Sequence, residues 1–123
     1  MKPAALALSA LTLAVALGSA AAAEDTAHGK RLFLTCAYCH GPTGAGGPVG
    51  PSVRGIIGKP AAATPGFPYS EALKSSGVTW TEDQLAAFVL KPAAVVKGTR
   101  MAYPGLPAEA DARDVVAYLK SLD

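Results

Sequence analysis

Apolar residues recur at helical spacing in two stretches of this chain, and nowhere do they alternate convincingly over a strand length. Leu85, Phe88 and Val89 stand at i, i+3 and i+4, the stripe of an amphipathic helix. Thr81-Glu82-Asp83-Gln84 comes just before, in capping-box order. Trp80 and Leu85 flank that start at hydrophobic-staple positions, and Pro92 ends the helix, because a proline ring clashes with the preceding turn. Pro107 to Leu122 carries the longest pattern. Ala112, Val115, Val116 and Leu119 line one face, and Asp111 and Asp114 sit toward the end where the helix dipole favours negative charge. Two shorter helices are expected. One covers 26–35, with Ala27, Leu32 and Phe33 apolar and Lys30 and Arg31 facing out; the other covers 69–76 and stops at Gly77.

Between these segments, Gly41 to Gly58 and Pro60 to Pro68 are rich in Gly and Pro and hold no regular element for long. The expected fold class is all-α, with short helices and long loops. Loops this long in a small domain need something to hold them. A central cofactor would do so.

The N-terminus reads differently. Met1-Lys2-Pro3 leads into an uncharged run from Ala4 to Leu17, and Ala21-Ala22-Ala23 precedes Glu24 and Asp25. A basic residue, an apolar stretch and a small-residue site describe a secretory signal peptide, here 1–23 with cleavage after Ala23. An uncleaved anchor is the alternative, since the segment approaches the roughly 20 residues that span a bilayer. Its many alanines make it weakly hydrophobic, which favours cleavage. Residues 24–123 then form one domain. The chain has 11 Lys and Arg against 9 Asp and Glu, and Lys2 lies in the leader, so the remainder is close to neutral. No basic stripe with interleaved aromatics points to nucleic acid.

The chemistry lies in the two cysteines, Cys36 and Cys39, with His40 next. Cys-x-x-Cys-His is a c-type haem attachment pattern. On a helical turn, thiols at i and i+3 reach the two vinyl groups on one edge of a porphyrin, and the following imidazole lies under the ring as an iron ligand. Other uses of the residues fit less well. A structural zinc site needs four ligands, and His28 is the only other His, at the wrong spacing. A thioredoxin-like pair wants a βαβ setting. A disulfide here closes a tiny loop and stabilises little. An exported chain also suits thiols that would otherwise oxidise together.

The sixth ligand decides function. Met1 leaves with the leader, so Met101 remains, in the loop Lys97-Gly98-Thr99-Arg100-Met101-Ala102-Tyr103-Pro104-Gly105. A lone Met is more often core filler. This one lies in a loop between two helices, far enough along the chain to arrive from the face opposite His40. His/Met ligation raises the haem potential.

With these residues in hand, the chain resembles a class I cytochrome c, in the bacterial subgroup most similar to the mitochondrial protein. The resemblance rests on Gly29-Lys30-Arg31-Leu32-Phe33, Cys36 to His40, Gly50-Pro51-Ser52-Val53, Pro65-Gly66-Phe67-Pro68-Tyr69, Val78-Thr79-Trp80, Lys97 to Met101 and Ala117-Tyr118-Leu119, in family order. It implies one covalent haem c wrapped by the helices and loops, with His40 and Met101 as iron ligands. It implies that the Pro51 carbonyl accepts from His40. It implies that Tyr69, Trp80 and Thr99 donate to buried propionates, and that Gly29 lets the first and last helices cross closely, with Phe33 near Tyr118.

The implied activity is one-electron shuttling in the periplasm, with no catalytic residues. The implied partners are a membrane cytochrome complex, an oxidase or a periplasmic dehydrogenase, met by a monomer at an edge near Tyr38, Val49 and Tyr103. The membrane is involved only if the leader is retained. Three departures stand out: Phe88 replaces a Tyr, Lys59 an Arg near a propionate, and Ala93 and Ala94 the lysines of a basic docking ring. Arg31, Lys97 and Arg100 are what remain of that ring. The alternative from another class is a haem enzyme or gas sensor with an open sixth site.

Overall fold

The structure, a computed structural model, describes residues 1–4, 13–15 and 23–123. The expected signal peptide therefore falls largely outside the described residues. Within them lie six helices: α1 Thr26–Phe33, α2 Ala37–His40, α3 Glu71–Lys74, α4 Glu82–Leu90, α5 Pro92–Val95 and α6 Glu109–Lys120. No strand occurs among the described residues. Among the same residues the only pairing of that kind is an isolated bridge between Pro60 and Thr79, so the all-α expectation holds. No described helix is long and apolar enough to cross a membrane.

The crossing of α1 and α6 is the centre of the packing. Asp25 caps α1, its carboxylate accepting from the His28 N–H at 2.9 Å, which satisfies one of the unpaired donors at a helix start. Gly29 then meets the α6 backbone so closely that a Cβ there would lie 1.9 Å from the Asp114 carbonyl oxygen. Phe33 stacks on Tyr118 with ring centroids 5.2 Å apart. Ala27 does not share this face: it is exposed, and Gly29 and Phe33 are the buried residues of α1. On α6, Ala112, Val115, Val116 and Leu119 are all buried, as their spacing requires.

Helix α4 packs against α6 through Leu85, Ala86, Phe88 and Val89, and Trp80 lies with them in the core. Its start is half a capping box. The Thr81 hydroxyl accepts from the Gln84 N–H at 3.1 Å, but the Thr81 N–H donates to the Thr79 carbonyl at 2.8 Å, so Gln84 is not needed to return the bond. Arg113 to Asp83 and Lys120 to Glu82 join the two helices at the surface, 2.5 and 3.2 Å apart. Pro92 ends α4 and also opens α5, a turn the hydrophobic pattern does not announce. Proline suits that first position because it needs no N–H there.

Helix α3 is one turn, not the expected two. Ser75 and Ser76 fold their hydroxyls back onto the Glu71 and Leu73 carbonyls, each at 2.7 Å. Such local bonds compete with helix continuation.

Candidate functional site

The Cys36–His40 segment is one helical turn, with the Cys39 and His40 N–H groups both donating to the Cys36 carbonyl at 3.1 and 3.0 Å. That places two thiols and an imidazole on neighbouring steps of a rigid element. Cys36 is half-buried, Cys39 is exposed, and they are not joined in a disulfide. Burial pushes the Cys36 thiol pKa up against a lowering hydrogen bond with Thr35, and the neighbouring Cys39 adds to the rise. A thiol held neutral is a weaker nucleophile and is less open to stray oxidation.

His40 is oriented by the loop that follows it. Its Nδ1–H donates to the Pro51 carbonyl at 2.8 Å, since a carbonyl can only accept. This fixes the tautomer and leaves Nε2 free to ligate. The Gly46 N–H donates to the His40 carbonyl at 2.8 Å and turns the loop back. Gly50 makes the approach possible: a Cβ there would lie 3.0 Å from His40 Nδ1 and 2.9 Å from the Cys39 carbonyl oxygen.

A cavity of about 490 Å³ opens beside this turn, lined by Cys36, Cys39 and His40 together with Thr99, Met101 and Tyr103. A second, of about 380 Å³, is lined by Arg54, Lys59 and Trp80. The two share His40, Pro51, Tyr69 and Leu73, so together they describe one slot, with both thiols on the first part and Arg54 and Lys59 on the second.

Hydroxyl and indole donors line the slot. Tyr69 Oη accepts from the Thr64 N–H at 3.1 Å, and Thr99 Oγ1 accepts from the Met101 N–H at 3.2 Å. Each hydroxyl keeps its own proton to donate. Trp80 is buried, and among the described residues no protein group accepts from its indole N–H. Among the described residues no buried side-chain polar atom is sealed without a partner, so this N–H opens onto accessible space beside the cavity that Trp80 lines.

The structure therefore brings together Cys36, Cys39, His40, Pro51, Tyr69, Thr99 and Met101 around the first cavity. Trp80 stands at the second only. Phe88 lines neither cavity; it packs behind Trp80 with ring centroids 4.8 Å apart. Two residues not singled out for roles at the slot also belong to its frame. Arg54 lines the second cavity and donates to the Thr43 carbonyl at 3.0 Å. Arg100 lines the first and donates to the Pro68 carbonyl. Only the positive charge of each was visible in advance.

A flat macrocycle with apolar edges, two carboxylates and a metal fits this donor set: thiols one helical turn apart, an oriented imidazole, a thioether on the same cavity, and O–H, N–H and cationic groups along the two adjoining cavities. Such a slot defines a small all-α haem protein. The chain belongs to the cytochrome c family, whose family model, Cytochrome c, matches residues 26–123.

It is 46% identical over 99 residues to cytochrome c2 of Rhodoblastus acidophilus, covering 79% of this chain and 92% of that one. It is 40% identical over 105 residues to cytochrome c2 of Blastochloris viridis, covering 84% and 82%. Among solved structures, cytochrome cH from Methylobacterium extorquens superposes with a TM-score of 0.73 at 37% identity, covering 79% of this chain and 98% of that one. The class I cytochrome c fold follows, and with it one covalently attached haem c and a role in electron transfer, not enzymatic turnover. The reading as a haem enzyme falls away.

Proposed function

We propose that this chain is an exported, monomeric one-electron carrier of the periplasm, with His40 and Met101 as the two iron ligands. Cys36 and Cys39 hold the haem through thioether bonds. Tyr69, Trp80 and Thr99 donate to its propionates, offsetting the cost of burying carboxylates. The observation that carries the reading is that Met101 lines the same cavity as Cys36, Cys39 and His40. The haem iron supplies the one-electron change. The protein sets its potential by ligand choice, hydrogen bonding and burial. With the His40 imidazole and the Met101 thioether both held on this cavity, the iron would keep the same two protein ligands in both oxidation states, so that little would rearrange on transfer.

Residues 1–23 act in this reading as the export signal. The electron leaves by the edge where Tyr38 and Val49 are 91% and 70% exposed, next to the exposed Cys39 and near Tyr103. Partners are a membrane cytochrome complex, an oxidase or a periplasmic dehydrogenase. With Ala93 and Ala94 exposed and uncharged, docking leans less on long-range steering than a ring of lysines would.

The test is a spectroscopic redox titration of protein matured in an exporting host, beside Met101→Leu. The expected wild type shows the Met-to-iron(III) optical band and, when reduced, does not bind carbon monoxide readily. Met101→Leu loses the band, binds carbon monoxide and has a lower potential. A wild type that is five-coordinate when reduced overturns the carrier reading.

A further inference from the structure

Residues 41–54 form a strap around the hydrogen bond that orients His40. The imidazole Nδ1–H donates to the Pro51 carbonyl at 2.8 Å. Just beyond these two partners, three more bonds join the two arms of the loop, Gly41–Gly44 and Ser52–Arg54. The Val53 N–H and the Ser52 hydroxyl both donate to the Gly44 carbonyl, at 2.8 and 3.2 Å. The Arg54 guanidinium donates to the Thr43 carbonyl at 3.0 Å. The Ser52 hydroxyl oxygen also accepts from the Arg54 N–H at 3.3 Å. The Thr43 carbonyl shares a peptide unit with the Gly44 N–H, which donates to the Gly41 carbonyl at 3.1 Å. Arg54 therefore grips the turn that leaves His40 from the segment that leaves Pro51.

From this placement we infer that Arg54 is a positioning residue for His40: its guanidinium, bonded to the Thr43 carbonyl, keeps the imidazole and the Pro51 carbonyl in register. This rests on the reading of His40 as an iron ligand. Gly41 and Gly44 have φ of 81° and 74°. Glycine brings no side chain to pack and loses the most freedom on ordering, so hydrogen bonds must set the shape of this arm. The backbone supplies one bond across the arms, at Val53, and side chains supply the other two. The bond from Arg54 is charge-assisted, which makes it stronger than a neutral one. It also polarises a peptide whose N–H is itself engaged, and linked bonds of this kind reinforce each other. Without the guanidinium, the Thr43 carbonyl turns to water and the 41–44 turn drifts from residues 52–54. The bond at His40 is then made for less of the time. An imidazole whose Nδ1–H is well held is a more basic ligand, and a more basic ligand favours ferric iron. Loosening the strap moves the potential up.

The experiment is hydrogen exchange of the His40 ring N–H with heavy water, read by NMR in the reduced, diamagnetic holoprotein, with amide exchange in α6 and a redox titration alongside. Wild type, Arg54→Ala, Arg54→Lys and Lys59→Met are compared. Lys59 lines the second cavity with Arg54, so Lys59→Met removes a charge there and no bond of the strap. The expected result is that the His40 ring N–H exchanges about fivefold faster in Arg54→Ala, the scale of one exposed bond to a charged group. Loss of positive charge alone has the opposite sign, since it repels hydroxide less strongly held near the site and slows base-catalysed exchange. Lys59→Met therefore exchanges no faster than wild type. Arg54→Lys keeps the charge on a donor without the planar fork; its exchange falls between wild type and Arg54→Ala, and its potential lies above wild type. Amide exchange in α6 is unchanged throughout.

Ring N–H exchange in Arg54→Ala equal to or slower than wild type, with His40 still bound to iron in both, overturns the role of Arg54 and leaves the ligand reading standing. Faster exchange matched by an equal rise in α6 also overturns it, since that is general loosening. A wild type whose His40 ring resonances lack the large shifts of a haem-bound imidazole overturns the ligand reading itself, and the positioning role with it.

Discussion

The crossing of α1 and α6 and the haem slot are built on different principles. The crossing is complete in itself. Ala112 and Val115 are 0% and 1% exposed, Gly29 sits directly on the α6 backbone, and Asp114 ties down the start of α1 with two bonds of 2.7 and 2.8 Å. The slot is incomplete in itself. Its walls are Gly- and Pro-rich loops around two adjoining cavities of about 490 and 380 Å³, space that the haem would fill. One region is stabilised by protein against protein, the other by protein against haem. They should respond to different perturbations.

The largest effect is expected from removing the cofactor. Leaving the first cavity of about 490 Å³ unfilled would cost up to about 12 kcal/mol at 24 cal/mol per Å³. That is an upper bound, because the loops can collapse and water can enter. It is still the size of a whole domain's stability of about 5–15 kcal/mol. Replacing both Cys36 and Cys39 with Ala is expected to abolish the cooperative thermal transition by circular dichroism. A haem-free chain that still melts sharply would show the slot to be less dependent on its cofactor than the comparison holds.

Gly29→Ala attacks the other region and is expected to rank second. The added Cβ meets a backbone oxygen, not a flexible side-chain tip, so α1 and α6 must move apart. Overpacking of this kind costs about 3 kcal/mol. Urea unfolding should show that loss while the Met-to-iron(III) band persists. Loss of the band together with stability would mean that the two regions are coupled, not separate.

This division also sets what could be read from the sequence. The α6 face, the Thr81 cap and the end of α4 at Pro92 were legible because period and capping chemistry are local. Cys36, Cys39 and His40 were legible because their chemistry needs a fixed spacing. Ala27 misled because α1 buries a glycine, and an apolar count gives glycine no weight. Helix α5 was hidden because Pro92 reads first as a terminator. The second turn of α3 failed because Ser75 and Ser76 bond to their own backbone. The Arg100 tie to Pro68 joins residues 32 apart in sequence, and no local rule links an arginine to a distant carbonyl.

The smallest effect is expected at Asp114, and it tests the crossing by pH. The Asp25 N–H, and after it the His28 side chain, hold the Asp114 carboxyl below its ordinary pKa, against burial, which raises it. The groups facing it are His28, whose other ring nitrogen lies 3.9 Å from Asp111, and Asp25, whose carboxylate caps α1. A depressed carboxyl adds stability that is fully present above its unfolded pKa of about 3.9 and is lost as pH falls through the folded value. At pH 7, Asp114→Asn should therefore be less stable by about 1 kcal/mol, the net worth of a hydrogen bond. Between pH 5 and pH 3 it should lose less stability than wild type, so that the two urea-midpoint curves converge in acid. The slot has no such group in its walls, so the redox potential should be the same in both proteins at pH 7. Curves that stay parallel in acid would remove Asp114 from the account of the crossing; a shifted potential would show that the crossing reaches the iron.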